Sequence, residues 1–339
     1  MISAAPRPAR PSADDARPPV PSAAPERTRP DPADPAVADP GPIRPGPSNP
    51  GPRVPAPGDR PVVVGAVLTV FAVAIAVTIV RSPDGVVVSR DPGYTPLPVP
   101  LLLVPAALAM ALTALLPRGR GTAGISVRRP RALRGETALL LGLAVSFPLL
   151  VPLLALPEDY VLLKAAMFLV VPPVVLALSA RRRGPSIAIG RPAVSAWLIL
   201  LPALTLGVLS TVGPFSTGGP ATWPPLAVLL VSATATAITA GFGEELLYRR
   251  LLQTRLEALL GSWTGLLLAS LLFGLMHVTS HGDGTWWEGA AQVIALQGTT
   301  GLALGMMWRR WRRLWVCVLA HLLLNGLGVL LHLVGLLGA

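Results

Sequence analysis

Six polar side chains interrupt the apolar C-terminal third of the chain, and their types suit the hydrolysis of an amide. They are Glu244, Glu245, Arg249, His277, His321 and Asn325. A carboxylate can act as the base for a water molecule, imidazoles can polarise or protonate an amide, and a carboxamide can stabilise an oxyanion. A charge at the centre of a membrane helix costs about 2.5–3.5 kcal/mol, so such residues indicate function.

The spacing of these residues is helical. Glu245 and Arg249 lie four positions apart with the acid first, which favours an ion pair on one face of a helix. Glu244 is rotated by about 100° from Glu245 in an α-helix, so we expect it to face a different surface. His321 and Asn325 are also four apart and are expected to project from one face.

A hairpin would bring Glu244 and His277 to the same level. If residues 226–260 form one helix that turns at 261–262, Glu244 precedes the turn by 17 residues and His277 follows it by 16. At 1.5 Å per residue, both lie about 24–26 Å from the tip. His321, early in the last apolar run, is expected at a similar depth.

The elements that position these residues are membrane helices. Of the 339 residues, 52% are hydrophobic and 13% are charged, which is too apolar for an ordinary soluble domain. Runs of the length needed to span a bilayer predict an all-α, polytopic transmembrane bundle of about nine spans. The runs are 61–80, 97–116, 137–156, 161–180, 193–212, 226–243, 263–279, 289–308 and 314–336.

The loops between the runs predict the orientation. Four loops, 118–135, 181–191, 249–255 and 309–313, carry 17 arginines, and outside them only Arg81 and Arg90 lie in a loop between runs. By the positive-inside rule, the protein is expected in the cell membrane with a cytoplasmic N-terminus and an external C-terminus. The arginines set the topology first, and contact with anionic lipid is a secondary role.

Charged residues outside the C-terminal cluster suggest no second site. Lys164 and Glu136 lie near span ends and are expected to snorkel to the interface. Residues 1–60 contain 18 of the 39 prolines and predict a disordered cytoplasmic tail. The net charge of +11 comes from loop arginines, so we expect no nucleic-acid partner. The single cysteine, Cys317, excludes an intramolecular disulfide and a cysteine-clustered metal site.

Three motifs in the C-terminal third resemble those of the CPBP family of intramembrane proteases, which includes type II CAAX prenyl endopeptidases and bacteriocin-processing or self-immunity proteins. EELLYR at 244–249 matches EExxxR, FGLMH at 273–277 matches FxxxH, and HLLLN at 321–325 matches HxxxN. The resemblance covers roughly residues 225–330. Together with the composition, it divides the chain into three parts: the tail (1–60), N-terminal transmembrane helices (61–212) outside the motifs and a catalytic transmembrane domain (213–339).

The resemblance implies a role for each motif residue. Glu244 would activate a water molecule, His277 and His321 would assist at the carbonyl or the leaving amine, and Asn325 would stabilise the oxyanion. The ion pair between Glu245 and Arg249 would hold the helix and orient Glu244. The substrate would be a membrane-associated protein or peptide.

Two questions stay open at the level of sequence. No cofactor is favoured, but a zinc ion held by Glu244, His277 and His321 is the alternative, in which Glu244 would not be the free base. Other functions for the bundle are a non-catalytic scaffold or immunity protein and, less well matched, a transporter with a proton-relay glutamate. His281 is expected to open an external loop, with a metal pair to His277 as the alternative, and His332 is expected to be structural.

Overall fold

The computed structural model describes residues 54–89, 92–281 and 284–338. The fold is mostly helical, at 74% of residues, in agreement with the predicted helical bundle. The predicted disordered tail, 1–60, lies outside the described residues except for 54–60.

Ten helices follow one another along the described residues. They are α1 (Pro61–Arg81), α2 (Val99–Leu115), α3 (Pro130–Leu150), α4 (157–183), α5 (Ala196–Thr211), α6 (Leu226–Leu260), α7 (Ser262–Leu275), α8 (Val278–His281), α9 (286–311) and α10 (Leu314–Gly338). A 3₁₀ turn, Val151–Leu153, follows α3.

Three of these helices contain π-helical segments. They are Ala165–Val170 in α4, Ala237–Gln253 in α6 and Ile294–Gly298 in α9. Most π-helices are single-turn bulges found at functional sites, whereas the segment in α6 extends over 17 residues. The segments of α4 and α6 pack against each other. The wide turns therefore meet at one place in the bundle.

The hairpin between α6 and α7 forms where the sequence predicts it. Gly261 turns the chain with a φ of +100°, and a Cβ atom there would lie 2.6 Å from Cα of Asp59. Oδ1 of Asp59 accepts hydrogen bonds from the N–H groups of Trp263 (2.6 Å) and Thr264 (3.1 Å). The carboxylate thus caps the first turn of α7.

Six described helices are long and apolar enough to cross a membrane: α1, α3, α4, α6, α7 and α10. The helices at two other predicted spans, α2 and α5, are apolar but have only 17 and 16 residues. The ninth run lies in α9, which is not among the six. Gln292 and Thr299 of α9 are buried, so this helix faces its neighbours with polar and small residues. The count of nine crossings stays a prediction.

A small antiparallel sheet was not predicted from the sequence. Its strands are β1 (Val54–Pro55), β2 (Ile125–Val127) and β3 (Ile187–Ile189), in the order β1-β2-β3. Val127 pairs with Val54 on one side and with Ile187 on the other. Strands this short show no period of two in the sequence, so pattern analysis does not detect them.

Candidate active site

Glu244 lies at the centre of the cluster of polar side chains. It is carried by the π segment of α6 and is 1% exposed. Its Oε1 atom is 2.5 Å from Nζ of Lys164. Its Oε2 atom is 3.8 Å from Nε2 of His277 and 3.9 Å from Nε2 of His321. Among the described residues, no group donates a hydrogen bond to Oε2.

Lys164 pairs with Glu244, which sequence analysis missed. We expected Lys164 to snorkel to the interface, but its side chain is buried at the end of Pro157–Lys164 in α4. Nζ also donates a hydrogen bond to the hydroxyl of Tyr160, over 3.3 Å. The lysine turns inward because α4 packs on α6 and offers a buried carboxylate as its counter-charge. The prediction of snorkelling was wrong.

His277 lies just after α7, and its orientation is set by its own helix. Nδ1 is 2.8 Å from the carbonyl oxygen of Phe273. Because a carbonyl oxygen only accepts, Nδ1 must carry the proton. In the neutral imidazole, Nε2 is then an acceptor, and it faces Glu244. The proximity predicted for Glu244 and His277 from the hairpin is found.

His321 reaches the cluster from α10 and is held by Glu245. Nδ1 of His321 is 2.9 Å from Oε1 of Glu245, and Nε2 faces Glu244. The other oxygen of Glu245 accepts a hydrogen bond from Nε of Arg249 over 3.1 Å, with both side chains fully buried. The predicted pairing of Glu245 with Arg249 is present, but Glu245 also positions an imidazole.

The two neighbouring carboxylates converge on one imidazole. We expected Glu244 to face a different surface from Glu245 because an α-helix separates successive residues by about 100°. That expectation was wrong: both carboxylates approach His321. A π-helix is wider and turns less per residue, so consecutive side chains are directed more nearly alike.

Close approach of α10 to α6 depends on a glycine. A Cβ atom at Gly241 would lie 2.5 Å from Cδ2 of Leu322, the residue after His321. Small residues at such contacts allow membrane helices to pack closely. Gly241 therefore lets α10 bring its imidazole to the carboxylates of α6.

Phe273 packs against both histidines and the buried arginine. Its ring centroid is 5.1 Å from that of His277 and 6.1 Å from that of His321, with edge-on geometry in both pairs. The guanidinium carbon of Arg249 lies 4.4 Å from the centroid of the same ring. The ring thus restrains both imidazoles. The backbone carbonyl of Phe273 orients His277, and Glu245 orients His321.

The remaining predicted site residue, Asn325, lies one turn beyond His321 on α10. It is exposed, and among the described residues its side chain forms no hydrogen bond with the other side chains of the cluster. Of the other histidines, His332 stacks on Trp223 with ring centroids 4.3 Å apart. The side chain of His281 lies outside the part of the chain that the structure describes.

Glu136 was also predicted to snorkel, and that was wrong. Its Oε2 atom accepts hydrogen bonds from Nε of Arg255 over 2.9 Å and from the hydroxyl of Ser186 over 2.6 Å. The carboxylate is nearly buried because the α6–α7 hairpin supplies its counter-charge.

Three hydrogen-bond acceptors face one another at the centre of the cluster. They are Oε2 of Glu244 and, with both imidazoles neutral, Nε2 of His277 and of His321. Separations of 3.8 and 3.9 Å are too long for direct hydrogen bonds and suit a bridging water molecule. A water donates two protons, which matches a site that presents acceptors only.

The carboxylate oxygen and the two imidazole nitrogens are also atoms that can bind zinc as ligands. The Nδ1 atom of each imidazole contacts an acceptor, the carbonyl of Phe273 or the carboxylate of Glu245, as is usual for a histidine that binds a metal through Nε2. A zinc ion here would have to share Glu244 with a second cation. The ammonium of Lys164 already supplies the positive charge beside Glu244. Among the described residues, no group of three or more His, Cys, Asp or Glu side chains is arranged to hold a metal.

Comparison with known families identifies the C-terminal region. Residues 224–327 match the family described as type II CAAX prenyl endopeptidase Rce1-like, and the match includes all three motifs. It confirms the resemblance to the intramembrane protease family and, with the apolar helices, identifies a multi-pass membrane protein. Residues 1–223, including Lys164, lie outside the match. No curated protein and no solved structure matches the chain.

Proposed function

We propose that the protein is an intramembrane endopeptidase that hydrolyses a peptide bond of a membrane-associated protein or peptide. The observation that carries the proposal is the buried Oε2 atom of Glu244, which has no hydrogen-bond donor among the described residues and faces two imidazole nitrogens. A carboxylate presented in this way is suited to accept a proton from water.

In the first step, Oε2 of Glu244 takes a proton from the bridging water as the water oxygen attacks the substrate carbonyl carbon. The C=O bond becomes a C–O⁻ bond of a tetrahedral intermediate. The oxyanion is stabilised by the amide of Asn325, which is exposed and therefore accessible to a substrate, and by an imidazole to which Glu244 has passed on the proton it took from the water.

In the second step, the intermediate collapses. The C–N bond breaks as the protonated Glu244 or a protonated imidazole gives a proton to the leaving nitrogen. The products are a carboxylic acid, which ionises, and an amine. Glu244 and the histidines return to their starting states, so one water is consumed for each bond cleaved.

Four charged side chains keep the site neutral overall and fix its geometry. Lys164 holds Oε1 of Glu244, which leaves Oε2 directed at the water. Glu245 carries the charge that balances Arg249 and orients His321. Because Lys164 belongs to the helices 61–212, this region contributes to the site together with the catalytic domain that we assign to 213–339.

We further propose nine crossings with the N-terminus in the cytoplasm and the C-terminus outside. Three of the arginine-rich segments, 118–135, 181–191 and 309–313, lie together at one end of the bundle, which supports a common side of the membrane. The fourth, 249–255, was predicted to be a loop, which was wrong, because it lies within α6 and Arg249 is buried. Nε of Arg312 donates a hydrogen bond to the carbonyl of Ala123, and Nη2 of Arg313 to that of Pro192, each over 3.1 Å. The sheet joins the segment before α1 to the same end.

The test in cells is a comparison of membrane proteomes. Cells with the wild-type protein and cells with Glu244→Gln, expressed at equal levels, are compared for membrane polypeptides that accumulate uncut. We expect at least one such polypeptide, with a new terminus present only in the wild type. A matched control is Glu158→Gln, because Glu158 is an exposed acid on α4. Identical sets of termini in all three would contradict the proposal.

A further inference from the structure

A cavity separate from the cluster around Glu244 lies at the arginine-rich end of the bundle. It has a volume of about 630 Å³ and is lined by the end of α2, the start of α7, the α9–α10 turn and residues 56–57. None of its lining residues belongs to the cluster around Glu244. Any role of this cavity is therefore independent of peptide hydrolysis.

The lining of this cavity is strongly basic. Arg118, Arg309, Arg310 and Arg312 contribute four positive charges, and Glu257 contributes the one negative charge. Glu257 is already engaged: its Oε2 atom is 2.5 Å from Nη2 of Arg312. Glu257 and Asp59 also attract Arg309, whereas among the described residues no carboxylate forms an ion pair with Arg118 or Arg310.

Hydrogen-bond donors at the cavity also lack acceptors. Arg312 is 4% exposed, and among the described residues Nη1 has no hydrogen-bond partner. Nε of Arg310 is likewise buried and without an acceptor. Burial and the nearby guanidinium groups of Arg118 and Arg309 lower the pKa of Arg310. Native proteins rarely leave such donors unsatisfied, so these groups indicate a ligand with several anionic oxygens.

The backbone at Arg312 is specialised for this position. Arg312 ends α9 in the left-handed conformation, with a φ of 54°, which is uncommon for a residue other than glycine. The conformation turns the chain into α10 while the side chain packs inward against Ala123 and Glu257. A buried guanidinium is thereby fixed at the wall of the cavity.

The rest of the cavity lining includes apolar side chains, some of which are exposed. Trp263 is 40% exposed, and the guanidinium carbon of Arg309 lies 4.0 Å from the centroid of its ring. Met306 and Ala114 add apolar surface. Tryptophan and arginine at a helix end are typical of the membrane–water interface. A ligand that combines a phosphate with acyl chains fits this lining better than a free ion does.

We propose that this cavity binds the phosphate headgroup of an anionic phospholipid. The guanidinium groups contact the phosphate oxygens, and the glycerol and acyl chains leave the cavity past Trp263 into the bilayer. The bound lipid supplies the acceptors that Arg310 and Arg312 lack.

The experiment is native mass spectrometry of the purified full chain in detergent, with dioleoyl-phosphatidylglycerol, dioleoyl-phosphatidylcholine or inorganic phosphate added. The test variant is Arg118→Gln/Arg310→Gln. The matched control is Arg181→Gln/Arg182→Gln, which removes the same charge from exposed residues outside the cavity. The single variant Arg118→Gln changes only an exposed residue, so it still tests the cavity if the double variant does not fold.

We expect the wild type to bind phosphatidylglycerol at least about tenfold more tightly than phosphatidylcholine, and the test variant to lose about tenfold in affinity. Arg118→Gln should lose a smaller part, and the control should change less than about twofold. Equal affinity for the two lipids, or equal losses in test and control variants, would overturn the proposal. Displacement of the lipid by equimolar inorganic phosphate would also overturn it, because the cavity would then be a site for free phosphate.

Discussion

The ammonium of Lys164 and the carboxylate of Glu244 lie 2.5 Å apart, and both side chains are buried. Lys164 comes from a helix outside the family match, whereas Glu244 begins the first motif. A buried charge is stable only with a counter-charge and further hydrogen bonds. For Lys164, Glu244 is the counter-charge, and the ammonium donates a further hydrogen bond to the hydroxyl of Tyr160. The N-terminal helices and the C-terminal domain are thereby joined at the proposed water-activating group.

The first prediction concerns this ion pair. Lys164→Met leaves the carboxylate of Glu244 buried without a counter-charge, so we expect a loss of about 3–5 kcal/mol of stability and of most activity. Lys164→Arg keeps the charge and should retain part of both. Thermal unfolding in detergent and cleavage are measured on each purified variant.

A double variant tests whether the side chains of Lys164 and Glu244 are energetically coupled. Lys164→Met/Glu244→Gln removes both charges and should be more stable than Lys164→Met alone, because no unpaired charge remains. If the double variant were less stable by the sum of the single effects, the two side chains would not be coupled and the assigned role of Lys164 would be wrong.

The second prediction concerns Glu245, whose oxygens contact Arg249 and His321. Glu245→Gln leaves Arg249 buried without its counter-charge and weakens the hold on the imidazole. We expect lower thermal stability, lower expression and reduced cleavage together. Glu158→Gln, at an exposed acid, is the control and should match the wild type in all three measurements. Wild-type stability in Glu245→Gln would contradict the structural role of this carboxylate.

Much of the site follows from the spacing of residues within single helices. The pair of Glu245 and Arg249 and the turn at Gly261 are local features, and helix length then brings His277 level with Glu244. Contacts between distant helices could not be predicted in this way. The buried partners of Lys164 and Glu136 come from other helices, and the sequence of one helix does not show which neighbour faces it.

Local geometry also limited the prediction of the site. We predicted α-helical turns for residues 226–260, whereas the motif lies in a long π segment that brings both glutamates to His321. Nothing in the pattern of apolar residues distinguishes the two helix types over one motif. Asn325 lies one turn from His321 as its spacing predicts, yet its side chain is exposed, whereas that of His321 is buried.

The third prediction concerns topology and uses the buried position of the only cysteine. Cys317 is fully buried, so background labelling by a maleimide is expected to be low. Gly219→Cys lies in a loop proposed to be external, and Arg182→Cys lies at the C-terminal end of α4, which is proposed to be cytoplasmic. Both positions are exposed. In intact cells, a membrane-impermeant maleimide should label only Gly219→Cys, and lysis should expose Arg182→Cys. The reverse pattern would overturn the orientation.

The fourth prediction concerns metal dependence. Because Lys164 neutralises Glu244, we expect purified protein to contain well under one zinc per chain and a chelator to leave cleavage unchanged. Elemental analysis and cleavage after dialysis against chelator test this. Stoichiometric zinc that is lost in His277→Ala and His321→Ala, with activity restored to chelated wild type by added zinc, would instead support a metalloprotease.

The central claim is that Glu244 is the base that activates water. The most direct measurement is single-turnover cleavage, by purified wild type and Glu244→Gln in detergent, of a polypeptide that accumulates in cells with the variant. We predict a loss of at least about 10²-fold in the rate of bond cleavage, measured at a temperature where both proteins are folded, because Glu244→Gln also removes the counter-charge of Lys164 and lowers the unfolding temperature. Cleavage by Glu244→Gln at a rate close to that of the wild type would contradict it.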